Sequence, residues 1–226
     1  MRFALTAVFG LVLAVRVAAD DKPSADEQKT IDVVEKAGGK ATIDTNLAAE
    51  ARVAAKFDAI TDATLLALKK LPQVGAIEAF DASRCTIKGF AGLMDLPHLH
   101  TLVLGKSALT PAAANAIGQC KELRHLGLVE AGLNDAGLAS LKNLSLLHYL
   151  SLSGNPKITD KGMQTVKGFE RLQVLYLSNT SIGDMGLAEL KVLDGLRTLN
   201  VGNTKVTAEA ADKFADDMPN LRTVRR

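Results

Sequence analysis

The sequence predicts an α/β solenoid, one domain of short strand, turn and helix units stacked in series. Three observations predict it. Leucine recurs at a single phase, at Leu99, Leu123, Leu147, Leu172, Leu196 and Leu221, with Val74 before them, so the chain repeats every 24 or 25 residues. Each of these positions opens a segment of the form L-x-x-L-x-L, whose alternation suits a strand buried on one side. Apolar residues at helical spacing then follow, as in Leu65, Leu68 and Leu71 or Leu187, Leu190 and Leu193.

In chain order, Met1 to Ala19 reads as a secretory leader. Arg2 supplies the cation, Phe3 to Val15 the apolar stretch, and the small residues Val17 and Ala19 precede the acidic pair Asp20-Asp21, so cleavage is expected after Ala19. The apolar run is thirteen residues long before Arg16, short of the roughly 20 that span a bilayer. A linker and N-terminal cap is expected over residues 20–49. Asp20 to Lys29, with Pro23 and Ser24, has the composition of an exposed linker. Thr30 is placed to cap a short helix over Ile31 to Ala37, stopped by Gly38-Gly39. Lys40 to Asp44 then alternates as a short strand would, with Ala41 and Ile43 on one side.

The repeat domain is expected over residues 50–226. Its clear strand segments are Leu99, Leu102 and Leu104; Leu123, Leu126 and Leu128; Leu147, Leu150 and Leu152; Leu172, Leu175 and Leu177; and Leu196, Leu199 and Val201. Val74, Ile77 and Ala79 form a weaker copy, and Val53 with Ala55 a weaker one still. Helix starts recur with the same period: Ile60-Thr61-Asp62, Leu109-Thr110-Pro111, Leu133-Asn134-Asp135, Ile158-Thr159-Asp160, Ile182-Gly183-Asp184 and Val206-Thr207-Ala208. Thr61, Thr110, Asn134, Thr159 and Thr207 stand where an N-cap belongs, and Pro111 at the favoured first position. Asp62, Asp135, Asp160 and Asp184 suit the positive end of each helix dipole. After the strands, Ser107, Asn155, Thr180 and Thr204 share one phase, where a polar side chain can serve the buried backbone of a neighbouring turn, and Ala131 interrupts that column. One repeat cannot bury its leucines alone, so neighbours stack into a continuous core.

This pattern resembles the leucine-rich repeat family over roughly residues 50 to 226. Within it, segments such as Ile158 to Met163 are similar to the short repeats of secreted bacterial proteins and of the F-box adapter subgroup. The resemblance implies a curved solenoid with parallel strands on its concave face and short helices on its convex face.

Composition excludes several classes of function. The chain holds 47% apolar and 23% charged residues, too apolar for disorder. Lys and Arg number 27 against 25 Asp and Glu, and removal of Arg2 and Arg16 with the leader leaves 25 against 25. That charge balance lacks the basic field of a nucleic-acid binder. No phosphate loop, nucleophile elbow, paired-cysteine zinc motif or His-Glu-x-x-His segment occurs, so no catalytic or cofactor-binding residue is assigned and no enzymatic activity is expected. His98, His100, His125 and His148 are poorly phased for a metal: His100 and His148 lie two rungs apart, about 9.5 Å at the usual strand spacing. Cys85 and Cys120 fall at apolar phases and are expected as small buried hydrophobes.

Alternation exposes the residues between the buried leucines. The middle column is Glu78, Val103, Gly127, Ser151, Tyr176 and Asn200; before it run Thr101, His125, Tyr149, Val174 and Thr198, and after it Phe80, Gly105, Val129, Ser153, Ser178 and Gly202. His125, Tyr149, Tyr176, Val103 and Asn200 are the candidate partner-binding residues, with the rings expected to be accessible. The plainer alternative is an ordinary exposed strand face. A polar column at the strand starts, His100, Arg124, His148, Gln173, Arg197 and Arg222, reads either as an anion-attracting stripe or as a solvated edge. The expected function is an exported, non-enzymatic scaffold, secreted or held in the cell envelope, that recognises a protein or peptide. It would need no cofactor and no membrane span after processing. A structural envelope protein is the alternative, and an F-box-like ubiquitin-ligase adapter a further one.

Overall fold

The computed structural model describes residues 22–226; the expected leader and its cleavage point lie outside the described residues. The elements alternate along the chain: α1 (Ala25–Lys36), β1 (Lys40–Ile43), β2 (Val53–Thr61), α2 (Asp62–Leu68), β3 (Val74–Arg84), α3 (Ile87–Ala91), β4 (Thr101–Gly105), α4 (Pro111–Gly118), β5 (His125–Val129), α5 (Asp135–Ala139), β6 (Tyr149–Ser151), α6 (Asp160–Val166), β7 (Val174–Tyr176), α7 (Asp184–Glu189), β8 (Thr198–Asn200), α8 (Ala208–Asp217) and β9 (Thr223–Arg225). The strands form one sheet in sequence order, with β2 to β9 parallel and β1 antiparallel to β2 at the N-terminal edge. This is the expected α/β solenoid.

The N-terminal cap differs from the sequence reading. Helix α1 begins six residues earlier than Thr30 suggested, because Ser24 and Glu27 form a reciprocal capping box: Glu27 N donates to Ser24 Oγ at 3.3 Å, and Ser24 N to Glu27 Oε2 at 2.7 Å. A polar composition concealed a start signal that rests on spacing. Glu27 is buried, and Arg52 Nε donates to its Oε1 at 2.8 Å, which fastens α1 to the segment before β2. Thr30 lies inside the helix and donates to Asp26 O. Gly38 ends the turn at φ +84°, in the left-handed region that glycine tolerates.

The weakest sequence copies make the longest strands. Strands β2 and β3 run nine and eleven residues, and small side chains such as Ala54, Ala55, Ala76 and Ala79 are fully buried between them. The leucines of the later repeats point inward, and a continuous core runs from Val34 to Met218. Each strand from β4 to β8 is followed by a left-handed residue at the same phase, Lys106, Glu130, Gly154, Asn179 and Asn203, which turns the chain away from the sheet.

Two side-chain devices hold successive units in register. The first is a lock at the helix starts. Thr61, Thr86, Thr110, Asn134, Thr159 and Thr207 cap their helices as N-cap residues. The aspartate that follows does more than face a dipole. Asp62 accepts from Thr86 N and Oγ1 at 2.7 and 2.6 Å, Asp135 from Thr159 N and Oγ1 at 2.9 and 2.7 Å, and Asp184 from Thr207 N and Oγ1 at 2.7 and 3.0 Å. Every Asp therefore grips the N-cap of the following unit. Gly183 offers only its backbone N–H to Asp160, at 2.6 Å. A glycine two residues after the next Asp completes the pattern: a Cβ on Gly186 would collide with the Asp160 carboxylate.

The second device is the polar column after the strands. Asn155 is fully buried and accepts from Ala131 N and Leu133 N at 3.1 and 3.0 Å, while its amide donates to Leu128 O and Leu152 O at 2.7 and 2.8 Å. The gap in the column at Ala131 is thus served by Asn155, which reaches back to the preceding unit. Thr180 and Thr204 each donate to a single carbonyl of their own unit, Leu177 O and Val201 O. Ser107 Oγ is buried with no partner.

Candidate interaction surface

Parallel pairing fixes the columns of the sheet face opposite the helices. The register aligns Lys56, Glu78, Val103, Gly127, Ser151, Tyr176, Asn200 and Arg225 in one row across β2 to β9, and Thr101, His125, Tyr149, Val174, Thr198 and Thr223 in the row beside it. A one-residue slip would have sent these side chains into the core.

The five candidate residues share this face but differ in exposure. Tyr176, Asn200 and His125 are half-buried. Val103, at 0% exposed, and Tyr149, at 4%, are not the accessible anchors the alternation suggested. Both belong to a second apolar cluster with Val129, against which Phe80, Val174 and Tyr176 pack. Strands about 4.8 Å apart bring side chains of one row, and diagonal neighbours of adjacent rows, within reach of one another. The Tyr149 and Tyr176 rings meet edge to face with centroids 5.6 Å apart, and His125 lies 6.3 Å from Tyr149 on the other side.

Burial sets the chemistry of this row. It pushes the Tyr149 phenol well up, with Tyr176 adding to the shift and the nearby Ser151 hydroxyl opposing it, while neither Tyr149 Oη nor Ser151 Oγ has a well-aligned hydrogen-bond partner. Burial also lowers the His125 pKa, and His148, Arg124 and His100 lower it further, so the ring is neutral at neutral pH. The face presents aromatic and hydroxyl groups with unused hydrogen-bonding capacity and no cation in its centre. Buried polar groups without partners are costly, and a partner that supplies them gains affinity.

The other sequence-picked residues are placed less uniformly. In the strand-start column Arg124, Arg197 and Arg222 are exposed, while His100 is 8% exposed with Nδ1 unpartnered, not solvated as expected. The column's backbone carries part of the ladder, His148 N donating to Arg124 O and Arg222 N to Arg197 O, both at 2.8 Å. Cys120 is buried, but Cys85 is only half-buried, and both are free thiols. Among the described residues no three His, Cys, Asp or Glu side chains gather as a metal-holding group, and no helix is long and apolar enough to cross a membrane. The sequence reading placed Glu78 in the middle column but did not single it out as a site residue. A lone carboxylate at the head of an otherwise uncharged column was the available signal.

Comparison with known proteins matches one repeat of the chain to a family model. Residues 143–166, which hold β6 and the whole of α6, match the family model described as Leucine Rich repeat. No curated sequence matches the chain. Solved structures with a similar course include an internalin of Listeria monocytogenes, 16% identical, covering 70% of this chain and 49% of that one with a TM-score of 0.46. An internalin C2 of the same organism is 17% identical, with 86% of this chain and 91% of that one covered and a TM-score of 0.48. A leucine-rich repeat protein of Leptospira interrogans is 15% identical over 70% of this chain and 45% of its own, with a TM-score of 0.45. The chain thus spans about half the length of the first of these.

Proposed function

We propose that this chain, built of leucine-rich repeats, is a non-enzymatic scaffold that recognises a protein or peptide with its open sheet face. One observation carries the reading: two adjacent rows of partly exposed aromatic and polar side chains, continued by buried hydroxyls without well-aligned partners, cross consecutive parallel strands. An extended ligand laid along such a row meets one side chain per strand. The accessible anchor is Tyr176, with Asn200 beyond it and His125 at the far side of Tyr149. The leader-like segment Met1 to Ala19 supports export to the envelope or beyond, and N-terminal sequencing of the exported chain, expected to begin at Asp20, tests that part alone.

Crosslinking in the native envelope, followed by identification of what is captured, supplies the partner. Titration with Tyr176→Ala and His125→Ala then tests the face. Truncation of Tyr176 should cost more than about 1 kcal/mol of binding, as for an interface aromatic, while the helix-side variants Lys142→Ala and Lys191→Ala leave affinity unchanged. Loss of binding in the lysine variants and not in Tyr176→Ala assigns recognition to the helical side. Recovery of this chain alone supports the structural alternative.

A further inference from the structure

The sheet face ends at its N-terminal side in a pocket of about 340 Å³, lined by Lys40, Lys56, Phe57, Asp58, Glu78 and Phe80. None of the candidate partner-binding residues lines it. Glu78 is the unusual member. It sits on the sheet face at 1% exposed, and neither carboxylate oxygen accepts a well-aligned hydrogen bond. Lys56 Nζ stands 3.3 Å from Oε2, so the charge is paired, but the alignment of a hydrogen bond is missing and Lys56 itself is 39% exposed. A buried carboxylate ordinarily accepts several hydrogen bonds, because desolvation leaves it no other compensation. Its pKa is raised, chiefly by burial, with Lys56 opposing and the buried Asp44 adding to the rise. The neighbouring ring of Phe80 already has a cation over it, Lys106 Nζ at 5.5 Å from the centroid.

We propose that this pocket receives an arginine side chain of a bound peptide, whose guanidinium donates to both oxygens of Glu78. The ligand class follows from the geometry. Two adjacent acceptors, Oε1 with no donor and Oε2 with only the Lys56 ammonium at 3.3 Å, match the planar fork of a guanidinium that takes the place of Lys56, a fork that an ammonium cannot reproduce. The aliphatic stem has Phe80 to lie against. Asp58 offsets the added charge at the rim, and Lys56, being partly exposed, is free to yield its place. The proposal rests on the reading that the sheet face holds a peptide, and it names what one end of that peptide carries.

The test uses the full chain and the peptide acetyl-Gly-Arg-Gly-amide, with its citrulline counterpart as the uncharged isostere, titrated by NMR with the Glu side-chain carboxyls labelled. The arginine peptide should shift the Glu78 carboxyl saturably, and the citrulline peptide should not. Glu78→Gln should weaken the arginine peptide by about ten- to a hundredfold, as loss of a charge-assisted pair does. Lys56→Gln guards against a merely structural effect: it removes the internal competitor, so affinity rises where a damaged fold would lower it. Equal binding of the two peptides, a Glu78 carboxyl that does not respond, or a fall in affinity with Lys56→Gln would each overturn the proposal. These residues are separate from Tyr176 and His125, so failure here with retained Tyr176 dependence leaves the sheet-face reading standing, and the converse result sinks that reading alone.

Discussion

Asn155 carries the sharpest prediction about what holds successive units together. Its side chain is fully buried and satisfies five backbone groups: Ala131 N and Leu133 N of the preceding unit, Leu128 O at 2.7 Å, Leu152 O at 2.8 Å, and Ser153 O at 3.3 Å. A typical intramolecular hydrogen bond contributes about 0.5 to 1.5 kcal/mol net, and a buried group left without a partner costs about 1 to 3 kcal/mol. The four shorter bonds of Asn155→Ala then sum to roughly 2 to 6 kcal/mol. Water admitted to the vacated space recovers part of this, so the expected loss is about 3 kcal/mol, or roughly 6 to 12 °C in Tm for a domain of this size. Thr180→Ala, at the same phase one unit later, deletes a single bond to Leu177 O and should cost only about 1 kcal/mol. Asn155→Asp keeps the shape and the two acceptor sites but cannot donate to three carbonyls and adds a buried charge, so it should be at least as damaging as Ala. Urea unfolding followed by circular dichroism measures all three. A loss below about 1 kcal/mol for Asn155→Ala, or equal losses at Asn155 and Thr180, would refute the idea that this asparagine bridges two units.

Leu150→Ala and Leu175→Ala each remove a fully buried leucine from a central unit and should cost about 2 to 5 kcal/mol by the same denaturant titration; a cost near 0.5 kcal/mol would contradict the strand phase. The His125 pKa lies below its ordinary value of 6.5 in the folded chain, so the unfolded chain takes up the proton first: stability is unaffected above about pH 6.5 and declines as the pH falls toward the folded pKa. His125→Gln should flatten that decline in part, because the His100 pKa is lowered as well, and thermal melts from pH 7.5 to 4.5 check it. Burial pushes the thiols of Cys85 and Cys120 up to about 12, which leaves roughly one molecule in ten thousand as thiolate at pH 8. Alkylation without reductant, read by mass spectrometry, should find both reduced and slow to react, and an 85 to 120 bridge would overturn this.

The functional face was legible in part, and the residues show why. Alternation placed Val103, Tyr149 and Tyr176 on the side away from the leucines, and the parallel register agrees with that column by column. Alternation reports direction but not what stands beside a side chain. Tyr149 meets His125 and Tyr176 on the flanking strands, 24 and 27 residues away along the chain, and shares a buried cluster with Val103, 46 residues away. The pairing of Lys56 with Glu78 is likewise a contact between adjacent strands, 22 residues apart in sequence. For the same reason the aspartates read as dipole partners proved to be clasps between units.

By itself the sequence determined the period, the inward phase of the strand leucines and the helix starts after Thr61, Thr110, Asn134, Thr159, Gly183 and Thr207, because these depend on local spacing and on caps within three residues of one another. It also held the Ser24 to Glu27 capping box, which lay behind a polar composition. Only the tertiary structure decided which units clasp which, how much of the sheet face stays open, and that Glu78 lies in a pocket without a well-aligned donor. Each of those is set by the lateral stacking of one unit on the next, where exposure and hydrogen-bond supply belong to pairs of residues a whole repeat apart.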